Sequence, residues 1–446
     1  MSPAPGLGSD RRFARMLAVV VVLAVAIRVG FVLLVDPVVP RIGDASAYHL
    51  LGRGLARGDG YIRPFDALLL GRERPTAEYP PLFPLLLAFL DRIGCSTVTA
   101  QRLALSALGG VTVALTGLLG RRAAGRTVGV VAAAIAAVSP MLFLSEAILM
   151  AEALAVPLVA VSLLLAFRAI ERPGAARFAA LGAALGALTL TRAEGALLAV
   201  LLVGPVAWRS APTLRPRLLR TAVALGVAAC VVAPWTIRNA VRLDGPVPIS
   251  TNAATLVDGA NCDATYRGRL TGLWRESFST GGAASTDQAV ACFEGFAIAE
   301  PGFSERTAAA RHLREGAQYA RDHLAELPRV GAVRVLRTFG LWAPRAQVDY
   351  ESLEGRPRRV QLAGTALGWV LLGLATVGTG FMLRRGRTVW PLLAPVASAG
   401  LVSALTYGQQ RFRAGAEPSL CVLAAVAVVL LARRIGARHR IRTAAP

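Results

Sequence analysis

Lysine is absent from these 446 residues, so the 49 basic side chains are all arginine, set against 27 Asp and Glu and only four His. Charged residues make up 17% and aromatic residues 6%. With 54% apolar residues and a mean hydropathy of +0.53, this scarcity of charge excludes a soluble multidomain enzyme and marks a polytopic membrane protein. Arginine in place of lysine, with abundant Ala, Gly and Val, is the composition of a GC-rich bacterial genome. Several motifs are missing too. There is no phosphate-cradling P-loop, no dinucleotide fingerprint, no GxSxG and no HExxH, and no His and Cys spacing that makes a zinc site. No internal repeat or low-complexity tract stands out, which counts against an inverted-repeat transporter.

The formal net charge of +22 by itself fits nucleic-acid binding, but its distribution does not. Arg121, Arg122 and Arg126; Arg168, Arg172 and Arg177; Arg209, Arg215, Arg217 and Arg220; and Arg384, Arg385 and Arg387 sit in short loops between apolar runs, and more arginines fill the tail 433–442. All fall on the side of the N-terminus, as the positive-inside rule requires. The partner implied is the lipid bilayer of the cytoplasmic membrane, not nucleic acid, and both termini are expected in the cytoplasm.

The first apolar run, 16–35, is long enough to span a hydrocarbon core and lacks the short h-region and cleavage site of a signal peptide. Further spans are expected at 97–120, 127–144, 153–170, 177–190, 196–208, 221–237, 360–383, 389–406 and 418–432, about ten in all. The run 82–90 after Pro80 and Pro81 is too short to cross and reads as a juxtamembrane or re-entrant helix. The expected fold is therefore all-α and polytopic. Residues 1–237 form an N-terminal transmembrane module with external loops 36–96 and 145–152. Residues 238–359 form a small, mostly helical extracytoplasmic lobe that includes an amphipathic stretch at 307–324. Residues 360–446 supply the last spans and a basic tail. Cys230 and Cys421 fall in apolar runs and read as small core residues. Cys262 and Cys292 lie in the external segment, where a disulfide between them can persist and is the expectation.

The segment 43–61, GDASAYHLLGRGLARGDGY, is where chemistry is expected to begin. Asp44 either caps a helix over 45–56 or acts at the membrane surface. Tyr48 lies one turn on and can share its face, whereas His49 points elsewhere. Glu146 and Glu152 flank the next external turn and, six residues apart, would lie about 120° from each other on a regular helix. Glu152 is the better candidate, because the apolar helix continues directly after it; Glu146 can serve as a helix-start charge. Arg28 sits deep in the first span, where a guanidinium needs an anion, a carbonyl or water; structural pairing and a role with lipid phosphate both remain open. Arg192 shares a tight turn with Glu194 and reads either as a local ion pair or as a site residue. Arg411 and Arg413 stand on an outer loop against the positive-inside pattern, either as interfacial anchors or as a fork for a phosphate. With no nucleotide pool outside the cell, an external enzyme joining sugars needs a lipid-borne donor.

The ordered set GDASAYHLL, GDGY, YPPLFPLLLAF, AEALAVPL, TLTRAEG, APWTIRNAVRLDGPVPISTN, GANCDATYRG and YGQQRFRAGAEP covers nearly the whole chain. It resembles the bacterial membrane glycosyltransferases of the GT-C class, within it the protein mannosyltransferase and aminoarabinose transferase superfamily, and actinobacterial members in particular. The resemblance implies inverting transfer of a hexosyl or pentosyl group from a polyprenyl-phosphate sugar donor to a cell-envelope acceptor, with the active site extracytoplasmic. It implies that Asp44 is a general base or metal-linked residue, assisted by Glu152 or Glu146. Substrate contacts are implied at Tyr48, His49, Tyr79, Arg192, Arg238, Asn239, Arg411 and Arg413. Members commonly carry His where this chain has Tyr79, so a metal or phosphate contact made there is in question. Members also differ in metal dependence, so a divalent cation, Mg or Mn, at Asp44 and Glu152 is admitted but not required. The competing reading is a transporter or flippase of lipid-linked sugars, which predicts midplane charges and broken helices in symmetric positions; a catalytically dead assembly partner is the third.

Overall fold

A computed structural model of the chain describes residues 7–275, 292–293 and 304–443. Among these the regular structure is helical. The N-terminal half consists of α1 (Leu7–Leu34), α2 (Asp44–Arg57), α3 (Pro64–Leu70), α4 (Leu82–Arg92), α5 (Val98–Ala124), α6 (Arg126–Val138), α7 (Pro140–Ala147), α8 (Glu152–Glu171), α9 (Ala175–Thr189), α10 (Gly195–Ser210) and α11 (Leu214–Arg242). There follow α12 (Asn252–Gly259), α13 (Asp263–Tyr266), α14 (Glu305–Asp322), α15 (Leu327–Thr338), α16 (Pro344–Ser352), α17 (Arg358–Arg384), α18 (Trp390–Leu405), a 3₁₀ segment (Gln410–Ala416) and α19 (Glu417–Thr443).

Six described helices are long and apolar enough to cross a membrane, and the pair α6 and α7, bent by 49°, makes a seventh. Pro140 causes the bend: it occupies the first turn of α7 and cannot continue α6. The single span expected over 127–144 is therefore broken in two. Three more expected spans appear as the shorter apolar helices α9, α10 and α18. At about 1.5 Å per residue, helices of 15 or 16 residues reach well short of a hydrocarbon core of roughly 30 Å. The expected number of about ten is thus matched in position, but only six or seven meet the length.

The main core lies between α5, α8, α9, α10 and α19, where Leu119, Leu163, Phe178, Leu202 and Val422 are fully buried. Small residues set the closest helix approaches. A Cβ built on Gly182 of α9 would lie 2.1 Å from the carbonyl oxygen of Ala224 on α11, so only glycine permits that crossing. Outward faces remain apolar: Val19, Val22 and Leu33 on α1 and Leu218, Leu219 and Val241 on α11 are exposed, as lipid-facing side chains would be. Cys421 is buried as expected, whereas Cys230 stands exposed on α11, because that face of the helix has no protein neighbour.

Helices α12–α16 pack over the end of the bundle that carries α2. Cys262 and Cys292 are disulfide-bonded, and the expected amphipathic stretch is α14, with Ala308, His312 and Gly316 buried. Glu305, the first residue of α14, clamps the segment before α4. Its Oε1 accepts from the Ala77 amide at 2.9 Å and from the Thr251 hydroxyl at 2.7 Å. Thr251 N in turn donates to Ala77 O at 3.0 Å, fixing residues 76–79 from two sides.

Candidate active site

Asp44 is the first residue of α2, not its cap. The N-cap is Gly43, at a φ of 138° that favours glycine, and it makes no side-chain capping bond. The Asp44 carboxylate is thereby left for tertiary partners. Its Oδ1 accepts from the Tyr79 hydroxyl at 3.0 Å, and its Oδ2 accepts from Arg411 Nη1 at 2.7 Å. The prolines after Tyr79 and the clamp on Ala77 hold that tyrosine in place, while the 3₁₀ segment delivers Arg411. The same guanidinium lies 3.3 Å from Glu354 Oε1 and donates from Nη2 to the Tyr407 hydroxyl at 3.1 Å. Gln409 closes the ring, donating to Glu354 at 2.6 Å and accepting from Tyr407 at 2.8 Å. Burial pushes the Asp44 carboxyl up. The charge of Arg411, hydrogen bonds from Arg411 and Tyr79, and the charge of Arg192 outweigh it and hold the group below its usual value.

A second arginine–carboxylate unit adjoins the first. Glu152 opens α8, where the helix dipole favours an anion. Its Oε1 accepts from Arg192 Nη1 at 2.5 Å, and Arg192 Nε donates to Glu194. Arg192 comes from the turn between α9 and α10 and lies 5.8 Å from the Phe412 ring centroid. Glu152, Arg192, Glu194 and Arg411 together form the polar mouth of a narrow groove. Its walls are apolar, built by Val156 and Val159 of α8, Leu198 of α10, and Pro395 and Val402 of α18. Two guanidinium groups and two carboxylates thus stand beside an apolar trough, each guanidinium paired with carboxylates.

The other expected site residues are distributed as follows. Tyr48 is buried against the rings of Tyr79 and Phe83, at 4.8 and 5.1 Å, and backs the site through these ring contacts. His49 faces away and pairs with Gln101 at 2.8 Å. Glu146 is engaged by a different arginine: Arg28 Nε donates to its Oε2 at 2.7 Å, and Arg28 Nη1 also donates to Ala137 O at 3.0 Å and to Ala24 O at 3.2 Å. The question of Arg28 is thus resolved toward structural pairing. The helix breaks between Glu146 and Glu152, so the regular 120° relation does not apply. Arg413 points into the bundle and pairs with Glu417 at 2.8 Å. Arg238 and Asn239, in the last turns of α11, brace the loops. Arg238 donates to Thr76 O at 2.6 Å and Tyr61 O at 2.9 Å, and Asn239 donates to Val247 O at 3.1 Å.

Sequence reasoning missed Tyr407, Glu354 and Glu78. Tyr407 sits four residues before Arg411, a spacing that invites contact, but Glu354 lies in an unremarkable polar stretch with no local signal. Glu78 adjoins Tyr79, with Arg63 Nε 3.6 Å from its Oε2. Burial is the main reason its carboxyl is raised to about 7; the charges of Glu305, Asp44 and Asp66 add to this and Arg63 opposes it.

The donor atoms are compatible with a divalent cation in two places. Glu152 Oε2 is buried without a hydrogen-bond partner, a carboxylate oxygen that a cation can take, whereas both Asp44 oxygens are already engaged. Among the described residues, Asp258, His312 and Glu315 bring three ligand atoms within 4.8 Å of one another.

Residues 78–237, a little over a third of the chain, match the family described as dolichyl-phosphate-mannose-protein mannosyltransferase. No curated protein matches the whole sequence closely enough to stand as a relative. Among solved structures, the chain is similar to the archaeal oligosaccharyltransferase AglB from Archaeoglobus fulgidus in complex with an inhibitory peptide and a dolichol-phosphate. The TM-score is 0.54 at 13% identity, over 99% of this chain and 52% of that one. The Archaeoglobus fulgidus oligosaccharyltransferase in complex with Zn and sulfate gives 0.52 at 14% identity, over 95% and 50%. The apo structure of ArnT from Cupriavidus metallidurans gives 0.40 at 12% identity, over 94% and 78%, a likeness too weak to carry an argument. This chain spans about half the length of the oligosaccharyltransferase structures. Over residues 78–237 the chain is thus similar to that mannosyltransferase family, and over nearly its whole length it shares the fold of the archaeal oligosaccharyltransferase.

Proposed function

We propose that this protein is an inverting glycosyltransferase, moving a hexosyl or pentosyl group from a polyprenyl-phosphate donor to a cell-envelope acceptor at the outer face of the cytoplasmic membrane. The observation that carries the reading is the groove whose mouth holds Arg192 and Arg411 and whose walls are apolar. A prenyl chain fits the walls, and the donor phosphate fits the planar guanidinium groups. The neighbouring oligosaccharyltransferase structure holds a dolichol-phosphate, which supports a lipid-linked donor.

In the chemistry proposed, the acceptor oxygen attacks the anomeric carbon from the face opposite the phosphate. The new C–O bond forms as the bond to the phosphate oxygen breaks. Asp44 takes the acceptor proton. The phosphate leaves as an anion and needs positive charge, not a proton, and Arg192 and Arg411 supply it. One displacement with one base inverts the anomer, without the glycosyl-enzyme of retaining hydrolases. As found, Asp44 is a poor base, because Arg411 and Tyr79 occupy both its oxygens. Donor phosphate competes for Arg411, and that competition is what frees Asp44 when substrate arrives. A divalent cation, Mg or Mn, held by Glu152, and by Asp44 only once Arg411 has let go of it, would add positive charge at the leaving group. The segment 238–359, clamped to the Tyr79 segment through Glu305, is assigned to acceptor selection.

The test is transfer of radiolabelled sugar from synthetic polyprenyl-phosphate sugars to cell-envelope extract by the purified full chain, with and without chelator. Transfer by the wild type that is lost in a folded Asp44→Asn variant is the expected result. No transfer across a broad donor panel, with lipid-linked sugar instead moving across proteoliposome membranes, would overturn the reading in favour of a flippase.

A further inference from the structure

At the end of α8 opposite Glu152 there is a second polar concavity. Arg122 from the last turn of α5, Arg168, Glu171 and Arg172 from the end of α8, and Arg177 from the first turn of α9 line a pocket of about 380 Å³. Four guanidinium groups face one carboxylate. That carboxylate is already taken, since Arg122 donates to Glu171. Arg177 donates to the backbone carbonyl of Arg172 at 2.8 Å, which fixes the rim. Among the described residues no carboxylate pairs with Arg168 or Arg172, so the pocket holds uncompensated positive charge.

Topology alone explains arginines at this end of the bundle. It does not explain why arginines from three helices converge on one concavity. The position adds a second argument. The 20 residues of α8 separate the donor groove from this pocket by about 30 Å, the thickness of a hydrocarbon core. The pocket therefore opens at the other membrane interface, where the anions within reach are phosphates. Guanidinium forks pair with phosphate oxygens in two-point fashion, and basic pockets between spans take anionic headgroups.

We propose that this pocket binds the phosphate of an anionic phospholipid headgroup in the leaflet opposite the donor groove. The inference stands apart from the glycosyltransferase reading, since it uses none of the groove residues. Lipid retention by the full chain, measured by native mass spectrometry after exchange into mixtures of phosphatidylglycerol and phosphatidylcholine, tests it. The wild type is expected to prefer phosphatidylglycerol, and a double Arg168→Gln, Arg172→Gln variant to lose about thirtyfold of that preference. Arg172→Lys, which keeps the charge but not the fork, should fall between them and guards against a variant that fails to fold. A double Arg384→Gln, Arg385→Gln variant removes equal charge from a different basic loop and should change retention less than twofold. Equal loss in both double variants would reduce the effect to general surface charge and overturn the pocket, as would no loss in either. Equal thermal stabilisation of lipid-free protein by millimolar inorganic phosphate, with no preference between the lipids, would assign the pocket to free phosphate and overturn the lipid ligand.

Discussion

Two arginine–carboxylate pairs, Arg28 with Glu146 and Arg411 with Asp44, have the same contact distance of 2.7 Å and opposite surroundings. The Arg28 pair is closed. Its side chains are 1% and 4% exposed, one carboxylate serves one guanidinium, and backbone carbonyls take further donors. The Arg411 pair is contested. Asp44 is 27% exposed, Arg411 has Glu354 and Tyr407 as further partners, and the groove opens beside it. A closed pair can only break, at the cost of an uncompensated buried charge. A contested pair can exchange partners. The contrast predicts that the first pair governs stability and the second governs turnover.

Four variants test that division, in order of expected effect. Asp44→Asn should lower transfer by on the order of 10²–10⁴-fold, the usual contribution of a general base, with thermal unfolding little changed; radiolabel transfer alongside a melting curve reads both. Glu146→Gln should do the reverse, losing about 3–5 kcal/mol of stability, while Arg28→Met with Glu146→Leu recovers much of it. A Glu146→Gln protein that melts like wild type would erase the distinction. Tyr79→Phe removes one charge-assisted hydrogen bond to the Asp44 carboxylate, a bond of about 1.5–3 kcal/mol. The acid limb of the pH–rate profile should then move upward, because that bond helps hold the carboxyl low. An unmoved limb would mean that Asp44 is not the titrating base.

The smallest effect concerns Glu78, raised to about 7. Between the unfolded value near 4.5 and about 7 the folded chain binds the extra proton, so its contribution to stability is lost as pH rises through that window. Glu78→Gln should flatten this slope, and denaturation across pH 4.5–7.5 would show an unchanged slope if the group is not responsible.

Much of the fold was legible because membrane insertion leaves a local signature. Long apolar runs punctuated by arginine place the helices, and Pro80 and Pro81 mark the start of α4 at Leu82. Span 127–144 was misread as continuous, since hydropathy does not register the bend that Pro140 imposes. In the site, Asp44, Glu152, Arg192 and Arg411 were visible as charges in the wrong places for a bilayer. Arg413 carried the same signal and points into the bundle, because two residues along the 3₁₀ segment the chain faces Glu417.

By itself the sequence determined the class of the molecule, the polar segments and the unusual acids and arginines, since each follows from composition or from the neighbours of a residue along the chain. The pairing was decided only in three dimensions. Asp44 meets Arg411 across 367 residues, and Glu354, with no local mark at all, joins them. A charge shows in the sequence where it sits, but the partner that sets its chemistry is chosen by how the helices close.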